Sequence, residues 1–250
     1  MDLVEWPPKG KERHPWEKAR FRFFSSIIRD AGLEERAISV LDAGSGDGWF
    51  SRELLKRMHP ETIFTCWDIN YTIEDIRRFS SISDQRIQYM AIRPKEKFAL
   101  LILMDVLEHI EDDAKFLSLI TTENLEEGSF LLISMPAWQS LYSKHDEHLK
   151  HLRRYNPVQC RALLDRHGLK IINGGGLFHS LLLPRILQKI LELLITPKHK
   201  VTDLGDWRYG KIFTTLIDKG LSWDNRISLF FSKLKWDVPG LSWWALCKKQ

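Results

Sequence analysis

The run from Phe98 to Met104 (FALLILM) is apolar throughout, with no alternation. A strand that is apolar on both faces must be covered on both, and such strands belong to parallel sheets flanked by helices. Its surroundings agree. Ala37 to Leu41, Thr62 to Trp67, Phe130 to Met135 and Leu169 to Asn173 read as further strands, and Arg86 to Ala91 alternates like one. Helical spacing predicts helices over Pro15 to Ile28, Trp49 to Met58, Ile73 to Phe79, Glu111 to Ile120 and Pro157 to His167. Gly32 and Gly168 stand as helix stops, Asn156-Pro157 as a start, and Gly128 as the end of a turn. This alternation predicts a doubly wound α/β sheet, whose ligands sit outside the carboxyl ends of the strands.

The rhythm breaks between Leu181 and Trp236. Two apolar helical segments, about 185–195 and 211–234, flank the polar stretch TPKHKVTDLGD, and Leu241 to Cys247 is strand-like again. The expected organisation is therefore an arm and helix over 1–36, a core over 37–178 plus 238–250, and a C-terminal α-helical insertion over 179–237 before the last strand.

Composition narrows the function. With 44% hydrophobic and 28% charged residues, the chain is globular. A net charge of +4 is too small to argue for nucleic acid. Cys66, Cys160 and Cys247 stand far apart and without a C-x-x-C pair, so neither a disulfide framework nor a cysteine zinc site is expected. The charged, proline-rich start lacks a signal-like apolar core. The longest strongly apolar stretch without Asp, Glu, Lys or Arg, Gly128 to Ser143, is interrupted by Pro136, Gln139 and serines, unlike a span of roughly 18 apolar residues. A cytoplasmic protein is expected.

The first strand runs into D42-A-G-S-G-D-G48 and then a helix. Glycines here let backbone N–H groups and a helix start approach a ligand. A dinucleotide turn needs glycines at relative positions 0, 2 and 5; here they fall at 0, 2 and 4, and Trp49 occupies the position that close helix–strand packing reserves for the third. That argues against a nicotinamide oxidoreductase. There is no G-K-[ST], and Asp47 is the wrong charge for a pyrophosphate. Asp68, at the end of the second strand, suits a ribose diol. Asp42 suits an ammonium or sulfonium group. The ligand this asks for is a nucleoside without a diphosphate.

With D-A-G-S-G-D-G, W-D-I-N, L-L-I-L-M-D-V-L-E-H-I and F-L-L-I-S-M-P-A in this order over residues 37–137, the chain resembles class I S-adenosylmethionine-dependent methyltransferases. The run from Trp138 to Tyr155 is similar to that of one bacterial subgroup with an S-x-H-D…H-x-R-R-Y signature. The resemblance implies a doubly wound, seven-stranded Rossmann-like sheet whose last strand is antiparallel. It implies S-adenosylmethionine as cofactor, with Gly44, Ser45, Gly46 and Gly48 around its methionine part, Asp42 near its amino group, and Asp68, with Ile69 beside it, on the ribose. Asp105 and Val106 would line the sulfonium region. The family's usual acidic residue after the third strand is missing, and backbone at Ala91 or Ile92 would serve the adenine instead. In the subgroup a segment like His14 to Arg20 lies over the cofactor, so Arg20 is expected at the methionine carboxylate.

For methyl transfer to a hydroxyl, His145 is the expected base, since imidazole titrates near neutral pH. Asp146 either orients it, holds the substrate or caps a helix. His109, His148, Arg154 and Tyr155 are the candidate acceptor contacts; Arg153 to Tyr155 equally suit a cluster at a helix start, and His109 a bond fixing the next helix. H-x2-H-x2-H is a poor zinc pattern, and no metal is expected. The insertion reads as a packed cap, or as a surface for a lipid-like acceptor or an anionic membrane, with Lys198, Lys200, Lys211, Lys233 and Lys235 and Trp207, Trp223 and Trp236 suited to an interface. The expected activity is methyl transfer to a small or lipid-like acceptor at oxygen; the alternative is a non-catalytic protein binding the cofactor or its demethylated product. The oligomeric state is not legible.

Overall fold

A computed structural model describes residues 13–194 and 211–250, excepting the side chains of Leu193 and of 211–213. The expected roles of the first twelve residues and of Ile195, Lys198, Lys200 and Trp207 lie outside the described residues, as does that of the Lys211 side chain.

The chain forms one mixed sheet in the order β3-β2-β1-β4-β5-β7-β6. The strands are β1 (Ser39–Ala43), β2 (Ile63–Trp67), β3 (Ile87–Met90), β4 (Phe98–Met104), β5 (Leu125–Pro136), β6 (Leu169–Leu177) and β7 (Ser242–Lys249). β1 to β5 are mutually parallel and β7 runs antiparallel between β5 and β6. The helices are α1 (Pro15–Asp30), α2 (Trp49–Leu55), α3 (Ile73–Ser81), α4 (Asp113–Asn124), α5 (Lys144–His148), α6 (Pro157–Arg166), α7 (Leu182–Leu194) and α8 (Lys211–Lys233).

Neighbouring residues of each central strand point into two separate cores. Val40, Leu100 and Ile102 face a core with α1, α2 and α3, while Leu41, Leu101 and Leu103 face a core with α4 and α6. This is the physical content of the uninterrupted FALLILM run. The reversal of strand order falls between β1 and β4, so their carboxyl ends open a crevice there.

Among the boundaries that differ from the sequence reading, three bear on the strands. β1 extends through Asp42 and Ala43, which places Asp42 on the strand and not in the turn. β5 begins at Leu125: Gly128, at φ +78°, lies within the strand and does not end a turn before it. β6 continues through the three glycines to Leu177 because another backbone crosses there. A Cβ on Gly176 would stand 2.2 Å from the Val238 carbonyl oxygen, and one on Gly174 2.8 Å from that of Trp244.

The insertion is half cap, half open surface. α8 packs on α1: Asn225 donates to the Ala19 carbonyl (3.1 Å), Arg22 pairs with Asp218, and Arg22 also donates to Ser222 Oγ (2.8 Å). α7 keeps its apolar face outward, with Leu183 63% and Leu191 55% exposed and Ile186, Leu187, Ile190 and Leu194 exposed with them. The packed-cap reading of the insertion therefore does not hold for α7, and α8 too leaves Leu216, Trp223, Ile227 and Phe230 exposed. Among the described residues no helix is long and apolar enough to cross a membrane.

Candidate active site

The glycine turn is held in place by β2. The Gly44 and Ser45 amides donate to the Trp67 carbonyl (2.7 and 3.2 Å), the Gly46 amide to Asp68 Oδ2 (3.1 Å), and the Gly48 amide to the Ser45 carbonyl (2.9 Å). Those four amides are thus spent inside the protein, contrary to the expectation that they reach a ligand. What the glycines provide is closeness. Gly44 and Gly48 have φ of +70° and +68°, and a Cβ would lie 2.6 Å from Val106 Cγ2 and 2.6 Å from the Tyr89 ring, respectively. Either substitution strains the backbone and pushes against a neighbour.

The turn floors a cleft roofed by α1 and lined by Trp16, Arg20, Asp42, Gly44, Trp49 and Met104, among others. Trp49 packs its edge on Phe21 of α1 (5.4 Å between centroids), so the residue that blocks a dinucleotide turn fastens the roof. Asp42 is buried, accepts from Ser51 Oγ (2.7 Å), and has no ion pair among the described residues. Burial pushes its carboxyl up to about 6. Asp47 pairs with Arg13 and accepts from the Trp49 amide (3.1 Å). Asp68 accepts from Gly46 on one oxygen and from the Asn70 amide (2.9 Å) on the other. Beyond it, at the ends of β2 and β3, Ile69 and Ile92 are 80% and 79% exposed, an unusual pair of bare apolar side chains, with Ala91 half-buried beside them.

Arg20 reaches Asp105, with its guanidinium 4.8 Å from the centre of the Trp16 ring. Asp105 follows β4 at φ +54°, a conformation aspartate tolerates better than most residues, and also accepts from Ser134 Oγ (3.0 Å). Burial opposes its charge, but Arg20 keeps its pKa below the usual range. Next along the chain, Glu108 is fully buried and neither carboxylate oxygen has a hydrogen-bond partner. Burial and then the Asp105 charge push its pKa well up; its own N–H opposes this without reaching bonding geometry.

The loop after β5 folds back on this segment: the Leu152 amide donates to the Glu108 carbonyl (2.8 Å), and the His109 and His151 rings meet edge to face at 4.8 Å. Asp146, 0% exposed, is its hub. It caps α5 through Ser143, takes His151 Nδ1 at 3.0 Å, Arg154 Nε at 2.8 Å and Arg185 Nη2 of α7 at 3.1 Å. Burial works against its charge, yet His151 and Arg154 hold its pKa far below the usual range.

These contacts correct the sequence reading. Asp146 orients His151 and not the His145 ring, and no hydrogen bond reaches that ring among the described residues. Burial, then Arg185, lowers His145 to about 4, so it is neutral and weakly basic near pH 7. Arg154 is spent on Asp146 and the Ala137 carbonyl (3.2 Å), and the Tyr155 hydroxyl donates to Asp113 (2.7 Å). Both are structural, as the helix-start alternative has it. His148 is exposed on α5. His151 stands among the base candidates of this loop; Arg185 and Glu108 are the residues that spacing alone did not single out.

A profile of the methyltransferase domain matches residues 16–173, well over half of the chain. The chain belongs to the methyltransferase-domain family. Its cofactor is S-adenosylmethionine. No curated protein matches this sequence. Among solved structures, a putative sarcosine dimethylglycine methyltransferase from Galdieria sulphuraria aligns at 15% identity and TM-score 0.58, over 92% of this chain and 85% of that one. A SAM-dependent methyltransferase from Archaeoglobus fulgidus aligns at 19% and 0.52, over 93% and 97%. A protein described as the [4+2]-cyclase SpnF aligns at 14% and 0.56, over 96% and 84%. Identities this low establish the fold of the methyltransferase domain and not its acceptor. The cleft fits the cofactor: Asp42, a buried carboxylate with no ion pair among the described residues, suits its ammonium.

Proposed function

We propose that this methyltransferase transfers a methyl group to an oxygen of a small or lipid-like acceptor at the junction of the β4 end, the loop after β5 and α7. One observation carries the reading. A row of polar groups runs from the cofactor cleft to α7: Arg20 pairs with Asp105, Glu108 stands within 4.8 Å of His109 and His151, His151 meets Asp146, and Asp146 meets Arg185 of α7, whose apolar side chains are exposed. In this arrangement Asp42 holds the methionine ammonium beside Gly44, Ser45, Gly46 and Gly48, Asp68 takes the ribose diol, and Ile69, Ala91 and Ile92 flank the adenine. Arg20 faces the carboxylate end, and Asp105 and Val106 border the sulfonium. The cofactor supplies the electrophilic methyl. The protein's part is alignment and exclusion of water, worth about 7–11 kcal/mol in well-oriented reactions. His145, neutral with a pKa of about 4, accepts a hydrogen bond from the acceptor hydroxyl; as the oxygen–methyl bond forms and the sulfur–methyl bond breaks, the hydroxyl proton passes by way of this imidazole to solvent water, since His145 at that pKa does not retain it near pH 7.

The decisive assay uses cofactor labelled with carbon-13 in its methyl group, incubated with the full chain and with aqueous or lipid fractions of a cell extract. A methoxy resonance in an extracted product is expected. Cofactor binding without methyl consumption in any fraction would favour the non-catalytic alternative, which the resemblance of the fold to a cyclase keeps in play. N-methyl or C-methyl products would overturn the oxygen assignment.

Asp42 gives a pH test. Its carboxyl, at about 6, is protonated at pH 5 and ionised at pH 8. A cationic ammonium beside it favours the carboxylate, so cofactor binding should release a proton at pH 5 and none from this group at pH 8. Calorimetry in two buffers of different ionisation enthalpy reads this directly. Asp42→Asn should abolish the release at pH 5; an unchanged release in the variant contradicts the assignment.

The α7 face gives another. It is apolar and exposed, and α8 and the residues after it also expose Trp223, Lys233, Lys235 and Trp236; side chains of these kinds suit peripheral contact with an anionic bilayer. The protein should float with anionic vesicles at low salt, and Leu187→Glu with Leu191→Glu should abolish this. Failure of the wild type to float at low salt removes the membrane reading.

A further inference from the structure

We propose that Glu108, His109 and His151 form a binding site for a divalent first-row transition metal ion. One ligand atom from each lies within 4.8 Å of the others. Two imidazoles and one carboxylate are the donor set of zinc, manganese, iron or cobalt, and three protein ligands leave a position for water or an acceptor oxygen.

Three features distinguish this cluster from a chance meeting of polar side chains. First, Glu108 is 0% exposed and both its oxygens lack a hydrogen-bond partner. Leaving a carboxyl in that state is costly, and a structure with no use for it would place a leucine there. Second, His151 is already oriented: its Nδ1 faces Asp146 Oδ1 at 3.0 Å, which leaves Nε2 as the ligating atom. A carboxylate behind a ligating histidine is the recurrent support for a metal, and Asp146 is itself fixed by Ser143, Arg154 and Arg185. Third, the charges nearby are unbalanced. Arg20 pairs with Asp105, and Arg154 and Arg185 pair with Asp146, whereas the Arg20 charge acts on Glu108 only from beyond ion-pair distance. Ligands on one ion at about 2.0–2.2 Å stand closer together than 4.8 Å. Binding an ion would therefore draw the three side chains together.

The sequence pattern H-x2-H-x2-H had pointed away from a metal. Only its last member takes part, and the other two ligands come from the segment after β4, reached through the fold. The proposal concerns binding and stands whatever the acceptor is. Its link to chemistry, an ion beside Asp105 that takes up an acceptor oxygen, rests on the oxygen-methylation reading, so the test reads metal and not methyl transfer.

Full-length protein is stripped with a chelator, freed of it by dialysis, and titrated with Co²⁺ at neutral pH, followed by visible absorption and calorimetry; Zn²⁺ is then added in competition. One equivalent is expected, with ligand-field bands that Zn²⁺ displaces. Glu108→Gln and His109→Ala should each weaken binding by at least about tenfold, while His148→Ala, outside the cluster, should not. The metal-free Glu108→Gln variant should melt no lower than the metal-free wild type, because it loses no hydrogen bond. If His151→Ala is unstable through loss of its Asp146 contact, Glu108→Gln carries the test alone. Absence of stoichiometric binding, or undiminished binding in Glu108→Gln, overturns the proposal.

Discussion

Asp146→Ala is expected to lower folding stability by about 3–5 kcal/mol, the cost of removing one partner from a buried ion pair. The reason is the company it keeps. Arg154 and Arg185 are themselves buried, and their charges are met at Asp146 at 2.8 and 3.1 Å. Without that carboxylate two guanidinium groups remain desolvated, α5 loses its capping box, and α7 loses an anchor to the loop. A domain holds only about 5–15 kcal/mol in total, so the variant should unfold at markedly lower denaturant. Asp146→Asn, which keeps an acceptor, should lose less. Loss of activity in Asp146→Ala would then report unfolding and not a missing base. A denaturation midpoint within error of the wild type contradicts the hub.

Asp68→Ala is expected to weaken binding of S-adenosylhomocysteine by about ten- to a hundredfold, since hydrogen bonds to charged groups contribute about 1.5–3 kcal/mol each. Asp68 accepts from backbone on both oxygens, at Gly46 and Asn70, which fixes its carboxylate while leaving lone pairs for a diol. Melting temperature separates the two roles. A modest drop in melting temperature with a large loss of affinity supports ribose binding; unchanged affinity in a folded variant removes Asp68 from the site.

The parts of this architecture that depend on nearby residues were legible in the sequence. FALLILM announces a doubly covered strand, three alternate glycines announce a close turn, and Asp68 follows from its place at the end of the next strand. Structural detail failed where distant chain segments decide the outcome. The three glycines of β6 continue the strand because the backbone at Val238 and that of the paired β7 at Trp244 lie close against them. His145 and Asp146 are adjacent in sequence, but the carboxylate's hydrogen bonds go to His151, Arg154 and Arg185 and none to the His145 ring. Arg185 lies in the insertion, and no local pattern links it to the loop it anchors. Glu108 sits in a D-V-L-E-H run that reads as a family motif, while its lack of partners is visible only once the interior around it is built.

The central claim is that the cleft between the Gly44–Gly48 turn and α1 is where the sulfonium nucleoside sits. Calorimetric titration of the purified full chain with S-adenosylhomocysteine tests it most directly. Saturable one-to-one binding is expected, sharply reduced in Asp68→Ala. A folded wild type that gives neither binding heat nor a thermal shift at millimolar ligand would contradict it.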